Sequence, residues 1–250
     1  MKCLILAAGY ATRLYPLTEN FPKPLLTVGE KTILDWLVDD IATAKDSLGN
    51  LIVDEFVVIS NRKFAHHFDA WAKTKSQKVT VVDDGTSTNE TRLGAVKDIQ
   101  FAVDALKLDS DMLVIAGDNV LDFSLTRFVA YAKEKNTSCI MRYYEPTEKR
   151  LSKSGVVQVD QEDLVLSMEE KPAQPKSNWC CPPFYYYTKE DASRIQAGID
   201  AGCGTDAPGS YIAWLCRQTA VHAMEMPGKR FDIGNLESYE QVKREYKGIC

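Results

Sequence analysis

Met1-Lys2-Cys3-Leu4-Ile5-Leu6-Ala7-Ala8-Gly9-Tyr10-Ala11-Thr12-Arg13 opens the chain with a short apolar run that stops at a turn of small residues. A run of this length bounded by glycine predicts a buried strand. The pattern returns at Glu55–Ser60, Val79–Val82 and Met112–Ala116, and helical spacing fills the stretches between, as at Ile33–Ala44 and Ile99–Leu108. Alternating strands and helices imply a mostly parallel sheet between helical layers, because parallel strands need crossover connections. Ligands of such sheets gather at the carboxyl ends of the strands.

The second half is less regular. Thr137–Tyr143, Gly155–Val159 and Tyr185–Tyr187 are strand-like, and Lys171–Pro175 and Pro182-Pro183 interrupt them. These segments read as substrate-facing additions to one domain, and the charged stretch Glu145–Ser154 reads as a loop. No repeat or low-complexity tract is present. The expected organisation is a single domain over 1–250, with nucleotide binding in about 1–120 and phosphorylated-substrate binding in about 121–250.

Composition narrows the ligand. The 250 residues are 45% hydrophobic, enough for one large core, and the formal net charge is −5. That sign argues against a nucleic-acid or anionic-membrane partner and favours a small ligand held by local cations. No apolar run is long enough for a membrane span, and the first strand lacks the features of a signal peptide. Seven cysteines without a secretory signal point to packing thiols and to the cytoplasm, since their spacing matches no zinc pattern. His66-His67 lies in an amphipathic stretch, Arg62–Lys75, that reads as a solvated helix.

The turn after the first strand carries chemistry. Ala7, Ala8 and Gly9 let backbone amides approach an anion closely, Arg13 brings a forked set of donors, and Lys23, in Phe21-Pro22-Lys23-Pro24, adds a point charge. Together they describe a polyphosphate cradle. A solvated arginine beside an ordinary turn is the plainer reading, and two cations at this spacing weigh against it. The loop lacks the Gly-Lys-Ser/Thr of a Walker loop and the three glycines of a dinucleotide fingerprint, so a kinase or dehydrogenase is not expected.

This loop, ending in Thr12-Arg13 and followed by Pro22-Lys23-Pro24, resembles the sugar nucleotidyltransferases. Leu113-Val114-Ile115-Ala116-Gly117-Asp118-Asn119 is similar to that family's metal-binding strand end, and Arg230-Phe231-Asp232-Ile233-Gly234-Asn235 to its second metal motif. Gly155–Asp160, Leu166–Pro172 and Pro175–Asn178 resemble glucose-1-phosphate thymidylyltransferase and its relatives. The resemblance runs to about Tyr239. It implies a three-layer α/β/α, Rossmann-like nucleotidyltransferase fold with a mixed, mainly parallel central sheet. It further implies Mg²⁺ on Asp118 and Asp232, an NTP on Leu6, Ala7, Ala8, Gly9, Arg13, Lys23, Gly94 and Asp118, and a sugar 1-phosphate on Gly155, Glu170 and Lys171. Arg13, Lys23 and Asp118 are the expected catalytic residues. Two carboxylates completed by phosphate oxygens make the hard shell that Mg²⁺ prefers.

The chain departs from the pattern in places. Ala8 and Ala11 stand where many relatives carry glycine, and Pro182-Pro183 replaces a glycine before the aromatic strand, so a sugar pocket of different shape is expected. Asp83–Gly94 lacks a Gln-rich base-reading pattern, which leaves the base open; Asn89 and Arg92 are not assigned. Trp214 and Ala207–Tyr211 either shape the pocket or belong to the core. Glu169 reads as a solvated hairpin residue.

The expected reaction is in-line attack of a sugar 1-phosphate oxygen on the NTP α-phosphorus, with pyrophosphate leaving. The nucleophile is already anionic, so positioning and charge neutralisation suffice. The rival is a cytidylyltransferase acting on an alcohol phosphate or phosphonate such as phosphocholine. A glycosyltransferase would share the sheet but not need Arg13 and Lys23, and Asp118-Asn119-Val120 is not Asp-x-Asp; a regulatory domain would not need all four charged residues. Because Cys250 follows soon after Asp232, a single activity without a C-terminal β-helix or regulatory domain is expected. No apolar stripe identifies a dimer contact, and the oligomeric state is left unassigned.

Overall fold

The computed structural model describes residues 1–249. The chain folds into two compact units, one of Met1–Arg92, Ala116–Thr126 and Pro227–Cys250, the other of Leu93–Ile115 and Arg127–Met226. Each is α/β, and the strands of the chain form a mixed set, parallel and antiparallel.

In the first unit, strands Lys2–Leu6, Glu55–Ser60 and Val79–Asp83 pair in parallel, with Leu6 opposite Ile59 and Ser60 opposite Asp83. The middle strand is buried at every position, as a parallel strand covered on both faces requires. Helix Ile33–Ala42 buries Ile33, Leu34, Leu37, Val38 and Ile41 along one side. Thr32 and Asp35 close its first turn as a capping box, each side chain accepting the other's backbone N–H. Asp35 also receives the Trp71 indole N–H at 2.8 Å and pairs with Lys75, tying this helix to Ala65–Ala72.

Sequence spacing missed a two-stranded ribbon in this unit, Asn119–Leu121 antiparallel to Arg230–Asp232, with Asn119 opposite Asp232. The two three-residue strands lie 111 residues apart along the chain, so no periodicity can reveal their pairing. The ribbon stands on a cluster of Leu14, Val28, Ile33, Val120, Ile233, Tyr239 and Val242. Burying a side chain such as Ile233 contributes roughly 1.5–3 kcal/mol. The last helix, Leu236–Glu245, starts at the Asn235–Ser238 capping box. Tyr246 at its end donates to the Leu121 carbonyl at 2.8 Å, closing the ribbon against the helix.

Antiparallel pairing dominates the second unit. Strand Phe184–Tyr187 lies antiparallel to Met112–Ala116 and to Ser138–Tyr144, and Val221–Glu225 joins Ser138–Tyr144 in parallel. Trp179–Cys181 bridges Ser138–Tyr144 to Gly155–Val159, which forms a hairpin with Val165–Glu170. The expected loop at Glu145–Ser154 contains a short helix, Glu148–Leu151, with Leu151 buried. Tyr211, fully buried, packs on Tyr187 with ring centroids 5.3 Å apart and belongs to the core, while half-buried Trp214 stacks on it at 5.7 Å. The six described cysteines are free thiols, four of them buried.

Candidate active site

In the first unit the site grows from the end of strand Lys2–Leu6. The Ala7 amide continues the ladder onto the Ile59 carbonyl at 2.9 Å, and the Asn61 side chain donates to the Ala8 carbonyl at 2.8 Å. Buried Asn61 therefore holds the loop from below while also accepting the Phe64 amide, a role hidden in the sequence because it spans 53 residues. A side-chain carbon added at Gly9 would meet nothing within 4 Å, so Gly9 leaves open space above the loop. Ala11 adopts φ 48°, and Thr18 donates to its carbonyl at 2.8 Å, which turns the chain into the short helix Thr12–Leu14. Arg13 is exposed and forms no ion pair among the described residues. Its guanidinium is available to an anion.

Lys23 is only 7% exposed. Its ammonium donates to Asp118 Oδ2 at 2.8 Å. Flanking Pro22 and Pro24 restrict the backbone at this lysine, so the buried cation is aimed rather than free to wander. Asp118 is brought there by Gly117, whose amide donates to the Leu6 carbonyl at 3.0 Å. A Cβ on Gly117 would lie 3.0 Å from Ile5 and 3.2 Å from the Leu6 oxygen, so only glycine allows this approach without a shift. Leu6, Lys23 and Asp118 thus meet at one place.

Two residues that sequence reading left without a role orient Asp118. Asn119, 1% exposed, donates to Asp118 Oδ1 at 2.6 Å, and its own oxygen accepts from Arg230 at 2.7 Å. Arg230 also stands 3.8 Å from Asp232 Oδ1. Burial opposes the charge of Asp118, but Lys23 and Arg230 outweigh it and hold the carboxyl below its ordinary range. The Asp118 side chain keeps 42% of its surface open, so the anion is fixed by protein on one side and available on the other. The ribbon register sets Asp232, itself exposed, across from Asn119 and so next in line to Asp118. Asp118 and Asp232 are hard oxygen donors of the kind Mg²⁺ prefers, and among the described residues no three His, Cys, Asp or Glu side chains cluster as a metal cage of their own. Phosphate oxygens and water would complete such a shell.

The second unit brings together Gly155 and Glu170, paired across the hairpin. Among the described residues no group donates a hydrogen bond to the Glu170 carboxylate, and burial pushes its acidity weaker than usual, only partly offset by Lys171. Lys171 is exposed at φ 48°, held there by its amide on the Ser154 carbonyl at 2.9 Å. Glu169 is exposed, 3.9 Å from Lys176, in keeping with a solvated hairpin residue.

Gly94 lies in this second unit and packs elsewhere. At φ +92° it opens helix Ala95–Leu106, and a Cβ would come within 2.6 Å of the Thr205 carbonyl oxygen. The following amides of Ala95 and Val96 donate to the Asp206 and Thr205 carbonyls at 3.3 and 3.0 Å. The glycine therefore has a packing reason, a helix start pressed onto the backbone of 205–206.

A strand-end carboxylate salt-bridged to a lysine of the Pro-Lys-Pro segment joins the two ends of one sequence pattern, and a family profile captures that pattern over nearly the whole chain. The nucleotidyl transferase profile matches residues 2–248. The chain belongs to the nucleotidyl transferase family. Among curated nucleotidyl transferase relatives, bifunctional protein GlmU of Methanococcus aeolicus is 28% identical over 99% of this chain and 57% of its own length. Bifunctional protein GlmU of Methanocaldococcus jannaschii is 27% identical over 94% of this chain and 51% of its own. The chain thus spans little more than half the length of these relatives. A solved UDP-glucose pyrophosphorylase, in complex with UDP-glucose, superposes with a TM-score of 0.82 at 19% identity, covering 98% of this chain and 97% of that one. At that identity the likeness is one of fold, and it agrees with the expected mixed-sheet α/β nucleotidyltransferase architecture. No helix of the described residues is long and apolar enough to cross a membrane.

Proposed function

We propose that this chain is a cytoplasmic, magnesium-dependent enzyme that joins the nucleoside monophosphate of an NTP to a sugar 1-phosphate, releasing pyrophosphate. The observation that carries the reading is the Lys23–Asp118 pair at the mouth of the Gly9 loop, a buried cation and an oriented anion beside open space. Membership of the family and the names of its relatives support the same class of reaction. The part around the first strand serves the nucleotide, and the part around the Gly155–Glu170 hairpin serves the acceptor.

In this reading the amides of Ala7, Ala8 and Gly9 receive the polyphosphate, with Leu6 as framework. Arg13 neutralises the departing pyrophosphate, and Lys23 turns from Asp118 to the α-phosphate. Lys171 holds the acceptor phosphate, and Glu170 accepts its hydroxyl donors beside Gly155. Asp118 and Asp232 would hold Mg²⁺, which when bound neutralises phosphate charge and aligns the reacting oxygens. The nucleophile needs no general base, so the protein contributes orientation and charge.

The test is a pyrophosphate-release screen with Mg²⁺, crossing dTTP, UTP, CTP, GTP and ATP against sugar 1-phosphates and phosphocholine. A productive sugar row, abolished by EDTA and restored by Mg²⁺, is expected. Turnover confined to phosphocholine with CTP would replace this reading by the cytidylyltransferase, and silence in every cell would remove it.

A further inference from the structure

The Glu170 carboxylate fills a slot between two glycines. Across the hairpin, a Cβ on Gly155 would come within 3.1 Å of Glu170 Oε1 and 2.7 Å of the Met168 methyl. From the other side, a Cβ on Gly209 would fall on Glu170 Oε1 and within 2.5 Å of the same methyl. Gly209 is buried and begins helix Gly209–Leu215, whose Tyr211 and Ile212 are locked in the core. Its backbone has nowhere to retreat. The side chains it would strike are different: the carboxylate and the thioether methyl are the free ends of flexible chains. A methyl group at position 209 would move Glu170, not the helix.

We infer that Gly209 is a positioning residue for acceptor recognition, its missing side chain reserving the slot in which the Glu170 carboxylate waits for the hydroxyl donors of a sugar. This rests on the reading of Gly155, Glu170 and Lys171 as the acceptor site. The carboxylate has no hydrogen-bond donor of its own among the described residues, so its acceptor capacity is unspent. A group left without donors in a half-buried slot gains most from a ligand that supplies them, and loses most when pushed out of line. The sequence marks Ala207-Pro208-Gly209-Ser210-Tyr211 only as a segment that shapes the pocket or joins the core, and does not single out Gly209 within it.

The experiment pairs Gly209→Ala with Glu170→Ala in a double-mutant cycle, using glucose 1-phosphate as the acceptor probe and ¹³C-labelled glutamate to follow the Glu170 carboxyl by NMR without substrates. Gly209→Ala is expected to weaken acceptor binding about tenfold or more, seen as a raised acceptor KM with the NTP KM within about twofold of wild type. In the Glu170→Ala background the same change should no longer raise the acceptor KM, because the carboxylate it displaces is gone and only the contact with the flexible Met168 methyl remains. The Glu170 carboxyl of Gly209→Ala should titrate closer to an ordinary glutamate as it moves toward water. An undiminished effect of Gly209→Ala in the Glu170→Ala background, or an unchanged titration, would overturn the inference.

If Gly209→Ala does not fold, a folded Glu170→Ala/Gly209→Ala protein supports the steric coupling, and failure of both overturns it. The substrate-free titration separates the two levels of the argument. A shifted carboxyl in a protein that neither binds nor turns over any sugar 1-phosphate keeps the Gly209–Glu170 coupling and discards the acceptor-site reading.

Discussion

Asp118 and Glu170 are both carboxylates delivered by the end of a strand, one in each unit, and their environments push them in opposite directions. Asp118 has a lysine, an asparagine and an arginine arranged around it, and these hold it ionised against the cost of burial. Glu170 has two glycines and a methionine methyl, and burial holds it toward the neutral form. A carboxylate surrounded by fixed partners is suited to a permanent charged ligand. One left without donors is suited to a ligand that brings them.

The comparison breaks most visibly in turnover. Replacing Asp118 or Lys23 by alanine is expected to lower kcat by roughly 10²–10³-fold or more while circular dichroism and cooperative melting remain, because the pair acts on phosphate charge in the transition state. Near-normal kcat in either variant would show that the pair is structural.

A second paired carboxylate sharpens the point. Glu55 is opposed by burial but bound by Thr80 at 2.7 Å, Lys2 at 3.0 Å and Lys78 at 3.1 Å, which bring its pKa down to about 2. A lowered carboxyl stabilises the fold above its unfolded pKa and loses that contribution as pH falls toward the folded one. Glu55→Gln is therefore expected to cost about 1–3 kcal/mol of unfolding free energy at pH 6–7, shrinking as pH drops from about 4.5 toward 2. Denaturant titrations across that window check it; a loss independent of pH would point to packing instead.

Glu170 should behave with the opposite sign and the smallest amplitude. A raised carboxyl favours the fold below its unfolded pKa and loses that advantage as pH rises through the folded one. At pH 7 the charged side chain is a burden on stability, so Glu170→Gln is expected to raise Tm by about 1–3 °C there and to change little near pH 4. Acceptor affinity should fall in the same variant, because the amide offers one acceptor oxygen in place of two. A lowered Tm at pH 7 would mean that an unseen partner satisfies the carboxylate.

These contrasts mark how far the chain can be read in one dimension. Strands Glu55–Ser60, Met112–Ala116 and Gly155–Val159 are legible to the residue, since uninterrupted apolar runs with turn residues at their ends have few alternatives. Helix Ile33–Ala42 is legible for its apolar spacing, and stops two residues before the pattern does. The charged candidates Arg13, Lys23, Asp118 and Asp232 stand out because their motifs are local. The Asn119–Arg230 contact, the Asn61 bond under Ala8 and the Gly209 slot do not, because each joins residues remote in sequence whose types are unremarkable alone.

By itself, then, the sequence determined the alternation of strand and helix, the small-residue loop with its two cations, and the family to which those motifs belong. Tertiary structure decided which groups neutralise one another: that Lys23 reaches Asp118, that a two-strand ribbon sets Asp232 opposite Asn119, that Gly94 is pressed on the backbone of 205–206, and that among the described residues no donor reaches the Glu170 carboxylate. The physical reason is range. Strand and turn preferences act over a few residues, whereas a carboxylate's ionisation depends on whatever the fold sets within a few ångströms of it.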